Sequence, residues 1–246
     1  MNWTISIIFV ILSKMNKYGQ YCPMARAVEI LGDRWTLLIV RDLLCGVEHF
    51  NALERGLPGI PKALLAQRLR RLQQTGIVER QADPEGHAIR YRLTQAGQEL
   101  YPIIDSLTHW GAKWAFGEPA PSELNPVLLL WWMRGRVCVE KLPGKRVVVE
   151  FKFHEARPNS YWLVLKPEDV SLCVKHPGFE IDVLVTAELS ALYQVWLGRM
   201  TFNQAVREQK VEVDALPALA RAFPTWFALS PAAGTVRAQE RIRPTQ

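Results

Sequence analysis

Residues 61–75, PKALLAQRLRRLQQT, decide how the rest of the chain is read. Pro61 suits the first turn of a helix, where its missing N–H would go unpaired in any case, and Gly76 closes the segment. At 3.6 residues per turn Leu65, Leu69 and Leu72 fall together and predict a core-facing stripe. Ala63, Ala66, Gln67, Arg70 and Gln74 cluster opposite, flanked by Lys62, Arg68 and Arg71. Small residues, an amide and guanidinium groups on one face suit a DNA major groove. Alanine permits close approach, glutamine can bond an adenine edge, and arginine can bond guanine or phosphate.

The flanking sequence is consistent with that use. Upstream, Pro23 opens a helix that ends near Gly32, a second runs from Trp35 to Cys45, and His49 to Gly56 predicts a third before the Leu57-Pro58-Gly59 turn. Downstream, Ile77 to Gln81 and Ala88 to Leu93 predict two short strands joined at Asp83-Pro84-Glu85-Gly86, a wing after the helices. Between Ile60 and Arg92 the bases are Lys62, Arg68, Arg70, Arg71, Arg80, Arg90 and Arg92 and the acids Glu79, Asp83 and Glu85, an excess of four positive charges in a chain whose net charge is +6. A basic helix face alone is usually just solvated; the adjoining basic hairpin favours a groove-reading helix beside a phosphate-touching wing. The candidate DNA-contacting residues are Lys62, Ala63, Ala66, Gln67, Arg68, Arg70, Arg71, Arg80, His87 and Arg90. Thr94 then predicts the N-cap of one helix from Gln95, carrying Leu100, Ile103, Ile104, Leu107, Trp110 and Trp114 as an apolar stripe that needs a cover.

Tyr21-Cys22-Pro23, Leu31-Gly32-Asp33-Arg34-Trp35, His49-Phe50-Asn51-Ala52-Leu53, Leu57-Pro58-Gly59-Ile60, Leu65-Ala66-Gln67-Arg68-Leu69-Arg70 and Tyr91-Arg92-Leu93-Thr94 resemble the HxlR-type branch of the MarR-like winged helix-turn-helix transcription regulators, over about Tyr18 to Phe116. The resemblance implies a cytoplasmic homodimer on double-stranded operator DNA, with helix 61–75 in the major groove and wing 77–93 on the backbone. It also implies a dimer seam built from the first helix and the Leu100 to Trp114 helix. Pro61-Lys62 stands where family members usually carry a Ser-Pro pair. Cys22 precedes Pro23 at a helix N-terminus, where dipole and free amides favour thiolate, and some members sense oxidants through a cysteine here. Cys22 is therefore a candidate redox-sensing residue, set against a packing role in the seam.

Gly117 to Ser122, with two prolines, marks a linker. Beyond it, Glu123 to Met133 predicts an apolar helix. Arg146 to His154 alternates as a half-buried strand, and Tyr161 to Lys166, Val170 to Lys175, Ile181 to Thr186 and Lys210 to Val213 predict further strands. Helices return at Ala187 to Leu197, Phe202 to Arg207 and Leu216 to Phe223. The expected fold is mainly α with α+β: an N-terminal winged helix-turn-helix and a C-terminal α+β domain with an antiparallel sheet covered on one face. Asp182-Val183-Leu184-Val185-Thr186, Leu197-Gly198-Arg199-Met200-Thr201 and Lys210-Val211-Glu212-Val213-Asp214 give this half a weaker resemblance to the sterol carrier protein fold, though a glycine common before the last aspartate is missing. That resemblance implies a tunnel for apolar molecules, with Trp131, Phe151, Phe153, Trp162 and Trp196 as candidate pocket residues for an apolar small-molecule effector; the plainer alternative is that they fill the core.

The expected domain limits are 17–117, 118–123 for the linker, 124–230, and 231–246 as a flexible basic tail. Residues 1–16 form an apolar extension that lacks the basic flank of a secretory signal and the length of a membrane helix. It reads either as sequence upstream of a start at Met15 or as a short helix buried on a partner. No stable membrane association is expected. Hydrophobic residues at 49% and charged residues at 22% exclude disordered and coiled-coil classes for the whole chain. Four scattered cysteines and five histidines without ligand spacing predict no metal, no cofactor and no disulfide framework, and no catalytic motif is present, so no enzyme is expected. The competing function is a hydrophobic-ligand carrier whose winged helix serves only for dimerisation.

Overall fold

The computed structural model describes residues 18–82, 88–154, 156 and 158–242. The chain divides after Leu107 into two compact units. In the first, helices α1 (Pro23–Leu31), α2 (Thr36–Leu44), α3 (Phe50–Gly56) and α4 (Lys62–Gln74) precede an antiparallel hairpin of β1 (Val78–Ala82) and β2 (Ile89–Leu93), with Val78 opposite Leu93 and Ala82 opposite Ile89. The hairpin turn expected at residues 83–86 and the candidate His87 lie outside the described residues. Leu65, Leu69 and Leu72 of α4 are buried with Ile39, Leu53 and Leu57, as the stripe predicts.

The helix expected to start at Gln95 is two helices, α5 (Gln95–Gln98) and α6 (Tyr101–Trp114). Pro102 has no N–H to give the carbonyl of Gln98, so the ladder breaks there. Thr94 caps α5 by accepting from the Gly97 N–H at 3.3 Å and donates its hydroxyl to the Gly76 carbonyl at 2.6 Å, tying α5 to the end of α4. A Cβ on Gly97 would lie 2.3 Å from the Ile77 carbonyl oxygen, which is backbone and cannot step aside. Gly97→Ala is expected to lower the stability of this unit by about 2 kcal/mol, read as a shifted midpoint in urea unfolding of the full chain; an unchanged midpoint would mean the junction has slack.

The second unit contains the end of α6, α7 (Pro126–Arg134), a five-stranded sheet and its covering helices. The strands are β3 (Val147–Phe153), β4 (Ser160–Leu165), β5 (Val170–Cys173), β6 (Val183–Ala187) and β7 (Val211–Ala215), in the order β5-β4-β3-β6-β7. The sheet is mixed, not antiparallel as expected, because β3 and β6 pair in parallel. The reason is the connection 174–182, which leaves one edge strand and brings β6 in on the far side of β3. Asp182 fixes that entry: its N–H donates to the Val148 carbonyl at 2.9 Å, and its Oδ2 accepts from the Val148 N–H at 2.8 Å.

Helices α8 (Leu189–Trp196), α9 (Phe202–Arg207) and α10 (Pro217–Ala222) follow. Val147, Val149, Phe151 and Phe153 pack with Leu129, Leu130, Leu192 and Trp196 in one core. Val148 and Glu150, on the other face of this alternating strand, are buried as well, since β3 is the central strand and Val164 and Trp162 stand opposite them on β4. Residues 231–246, expected as a flexible tail, instead carry α11 (Ala233–Ile242), whose Val236 is buried against Ala112 and Ala232. The apolar packing of that single turn was masked in the sequence by its basic neighbours.

Candidate nucleic-acid interface

Helix α4 starts at Lys62 with Pro61 in the cap position, in extended conformation and with no side-chain cap. A proline ring offers no acceptor, so the first amides of α4 remain open where a serine would have bonded one. Ala63, Gln67, Arg70 and Gln74, at steps of four, three and four, form an exposed stripe opposite the buried leucines, with Ala66 half-buried at its edge. The Arg70 side chain has no hydrogen bond or ion pair among the described residues. Lys62 is largely exposed, its Nζ 3.5 Å from Glu54 Oε2.

The two other α4 arginines are placed differently from Arg70. Arg68 Nη1 lies 2.8 Å and Arg71 Nη1 2.9 Å from Asp33 Oδ2, and Arg71 Nη2 also donates to the Glu29 carbonyl. One carboxylate at the α1–α2 turn thus holds the inner flank of α4. Glu29 is itself buried and accepts from the Tyr18 N–H and from Arg26.

The wing shows the same division. Glu48 takes Arg92 Nε at 2.8 Å and Arg90 Nη1 at 3.7 Å, while the Tyr91 N–H donates to the Glu48 carbonyl at 2.7 Å and His49 bridges Arg90. These contacts anchor the wing root to the segment before α3. Arg80, on the opposite face of the hairpin, is exposed, and its side chain has no hydrogen bond or ion pair among the described residues. Of the seven basic side chains counted in the sequence, Lys62, Arg70 and Arg80 are the ones not closely held by an internal carboxylate within 3.0 Å or shared with Glu48. Sequence reading missed Asp33 and Glu48, whose partners lie 35 and 44 residues away along the chain, a separation that leaves no local signal.

Cys22 is half-buried at the N-cap of α1, and all four cysteines are free thiols. In the second unit a cavity of about 720 Å³ is lined by Met133, Leu192, Trp196, Phe223 and Phe227 among others. Of the five candidate pocket residues Trp196 lines it. Phe151 and Phe153 are fully buried in the core, Trp131 lies under the Arg134 guanidinium at 4.0 Å, and Trp162 packs edge-on against His176. Alternation along a strand marks which side is apolar but not where packing leaves space. A second cavity of about 800 Å³ lies near Leu124, Val127 and Tyr161. Among the described residues, no helix is long and apolar enough to cross a membrane.

The model of the HxlR-like helix-turn-helix matches residues 30–118. An uncharacterised HTH-type transcriptional regulator of Mycobacterium tuberculosis is 45% identical over 94 residues, which are 37% of this chain and 58% of that protein, so the match spans little more than half of that relative's length. The HTH-type transcriptional regulator YvaP of Bacillus subtilis is 38% identical over 98 residues, covering 39% of this chain and 91% of YvaP. The reduced form of the B. subtilis regulator YodB aligns at 34% identity over 39% of this chain and 95% of that structure, with a TM-score of 0.35.

Proposed function

The chain belongs to the HxlR-like helix-turn-helix family, and from that premise we propose that it is a DNA-binding transcriptional regulator acting as a homodimer on operator DNA. The observation that carries this reading is the exposed Ala63–Gln67–Arg70–Gln74 stripe on α4, backed by buried leucines and steadied from the side by Asp33. Gln67 and Arg70 read base edges in the major groove, Ala63 and Ala66 allow the approach, and Lys62 and Arg80 meet phosphates. Arg68 and Arg71 act one step back, fixing the rotation of α4. Arg90 and Arg92 fix the wing through Glu48 and add a weaker phosphate attraction. The homodimer is supported by the stripe on α6, where Ile103, Leu107, Trp110 and Trp114 are all exposed.

The test is titration of the protein on fragments upstream of its own gene, against a scrambled fragment, over a range of salt. Arg70→Ala is expected to cost about 1–3 kcal/mol on the operator and little on scrambled DNA, while Arg80→Ala weakens both alike. With Lys62 and Arg80 of each protomer contacting phosphate, the slope of log K against log salt should be near −4 for a dimer, against about −13 if all seven basic groups were engaged. Equal losses from both variants, or no preference for any fragment, would leave the hydrophobic-ligand carrier as the better account.

The second unit, with its mixed sheet, helices and apolar cavity, supports a sterol carrier protein-like reading in which an apolar effector binds there. An effector regulates only through a difference in affinity between two states of the dimer. Native mass spectrometry of the purified chain would detect a co-purifying molecule.

A further inference from the structure

The 720 Å³ cavity is lined mainly by apolar side chains, together with Thr201 and Gln204, and its charged corner is formed by Arg199, Arg237 and Glu240. Its size suits a small organic ligand, for which about 300–1,000 Å³ is usual. The Arg199 side chain is only 7% exposed. Its Nη1 lies 2.7 Å from Glu118 Oε1 and its Nη2 donates to the Gly117 carbonyl at 3.1 Å. Its Nε is 3.0 Å from Glu240 Oε1, yet off the N–H direction, so that buried hydrogen has no acceptor among the described residues. A buried, charged donor without an acceptor is costly, and an oxygen brought in by a ligand would remove the cost. Glu240 is 38% exposed and can swing into water.

The same corner reaches a second element. Gly198 has φ +73°, and a Cβ there would lie 2.9 Å from Arg237 Nε and 3.1 Å from Ala233 Cβ, so its bare backbone lets α11 dock on the turn before Arg199. One turn of α11 thus carries Arg237 and Glu240 to the cavity, and its neighbours Thr235 and Val236 reach α6, where Thr235 Oγ1 bonds His109 Nδ1 and Val236 packs on Ala112. α11 is the shared wall between cavity and α6.

We propose that this cavity binds an amphiphile with an apolar body and a carboxylate head, the head accepting from Arg199 in place of Glu240, and that loss of the Arg199–Glu240 pair loosens α11 from the C-terminal turns of α6. This deepens the reading of the second unit as the effector-binding part and rests on it. A carboxylate suits the corner because, once Glu240 has turned away, the Arg199 Nε–H is left to donate to it and the Arg237 guanidinium also lines the cavity.

Isothermal titration of the full chain with dodecanoate and with dodecan-1-ol tests the site. Dodecanoate is expected to bind at least about tenfold tighter, as a charge-assisted hydrogen bond requires. Arg199→Gln should bring the two within about twofold. Because Arg199 is buried and its loss could unsettle the fold, Glu240→Gln is the decisive variant: removing the competing charge should tighten dodecanoate about three- to tenfold and leave dodecanol unchanged. Equal affinity for acid and alcohol in the unaltered protein, or unchanged or weaker dodecanoate binding by Glu240→Gln, overturns the site. Amide hydrogen exchange in α11 and in residues 108–114 should speed up on saturation with dodecanoate; unchanged exchange in both overturns the link to α6. None of these measurements contains DNA, so failure to bind an operator would leave their outcome standing.

Discussion

Trp110→Glu is expected to turn the proposed homodimer into a monomer and to weaken operator binding at least about 100-fold. Ile103, Leu107, Trp110 and Trp114 fall at steps of four, three and four along α6 and are 46%, 46%, 61% and 67% exposed. A row of large apolar side chains at that exposure is covered when two copies meet, and a twofold seam would place each introduced carboxylate in a desolvated contact twice. A monomer holds one half-site and forfeits the gain of the second, which is worth about 10²–10⁴ in affinity. Light scattering after size exclusion reads the mass and a fluorescence titration reads the affinity. Because Trp110 is exposed within the chain, its replacement should leave the circular dichroism unchanged. A variant that stays dimeric and binds normally would place the seam elsewhere.

Asp42→Asn is expected to abolish a pH dependence of stability on the order of 3 kcal/mol in the first unit. Asp42 is 4% exposed in α2, and burial raises its pKa from 3.8 to about 6 despite Arg41, whose Nε donates to Oδ1 at 2.8 Å; Oδ2 has no hydrogen-bond partner among the described residues. A raised folded-state pKa means the folded form prefers the protonated acid. The associated stability is therefore complete below about pH 3.8 and is lost as the pH rises through 6, at about 1.4 kcal/mol per pKa unit. The unaltered chain should accordingly gain protection of its α2 amides relative to Asp42→Asn as the pH is lowered from 8 to 5. Comparing the two proteins at each pH cancels the intrinsic exchange rate. A difference that does not vary with pH would mean that the Arg41 pair fully offsets burial. Above pH 7 the asparagine variant should be the more stable, since it replaces a buried charge with a neutral amide.

What the sequence disclosed and what it hid separate along one physical line. Pro23, Gly32, Gly46, Gly76 and Thr94 act on their own backbone neighbourhood, so the helices of the first unit and the hairpin after them were legible within a residue or two. The leucine stripe of α4 was legible for the same reason. Partner choice across long separations was not. Nothing near Arg68 or Arg71 announces Asp33, and nothing near Arg90 or Arg92 announces Glu48, so the basic count overstated the charge free to meet a phosphate. Periodicity correctly marked β3 and β6 as strands yet carried no information on which strand each would adjoin, and the parallel pairing followed from the connection 174–182. The break before α6 was legible in principle at Pro102, whose ring forbids the hydrogen bond that one continuous helix needs.

The parallel pairing of β3 with β6 also sets a timetable. The first unit is built from residues up to Leu107, and its last strand, β2, ends at Leu93. On the ribosome it can gather while the rest is still being made. β3 has no such freedom: it remains without one flank until β6 is synthesised, and β6 has no other flank until β7 appears. Nascent chains halted after Leu165 would therefore carry β3 and β4 as a two-stranded apolar ribbon, and the sheet is completed only when its carboxyl-terminal strands arrive.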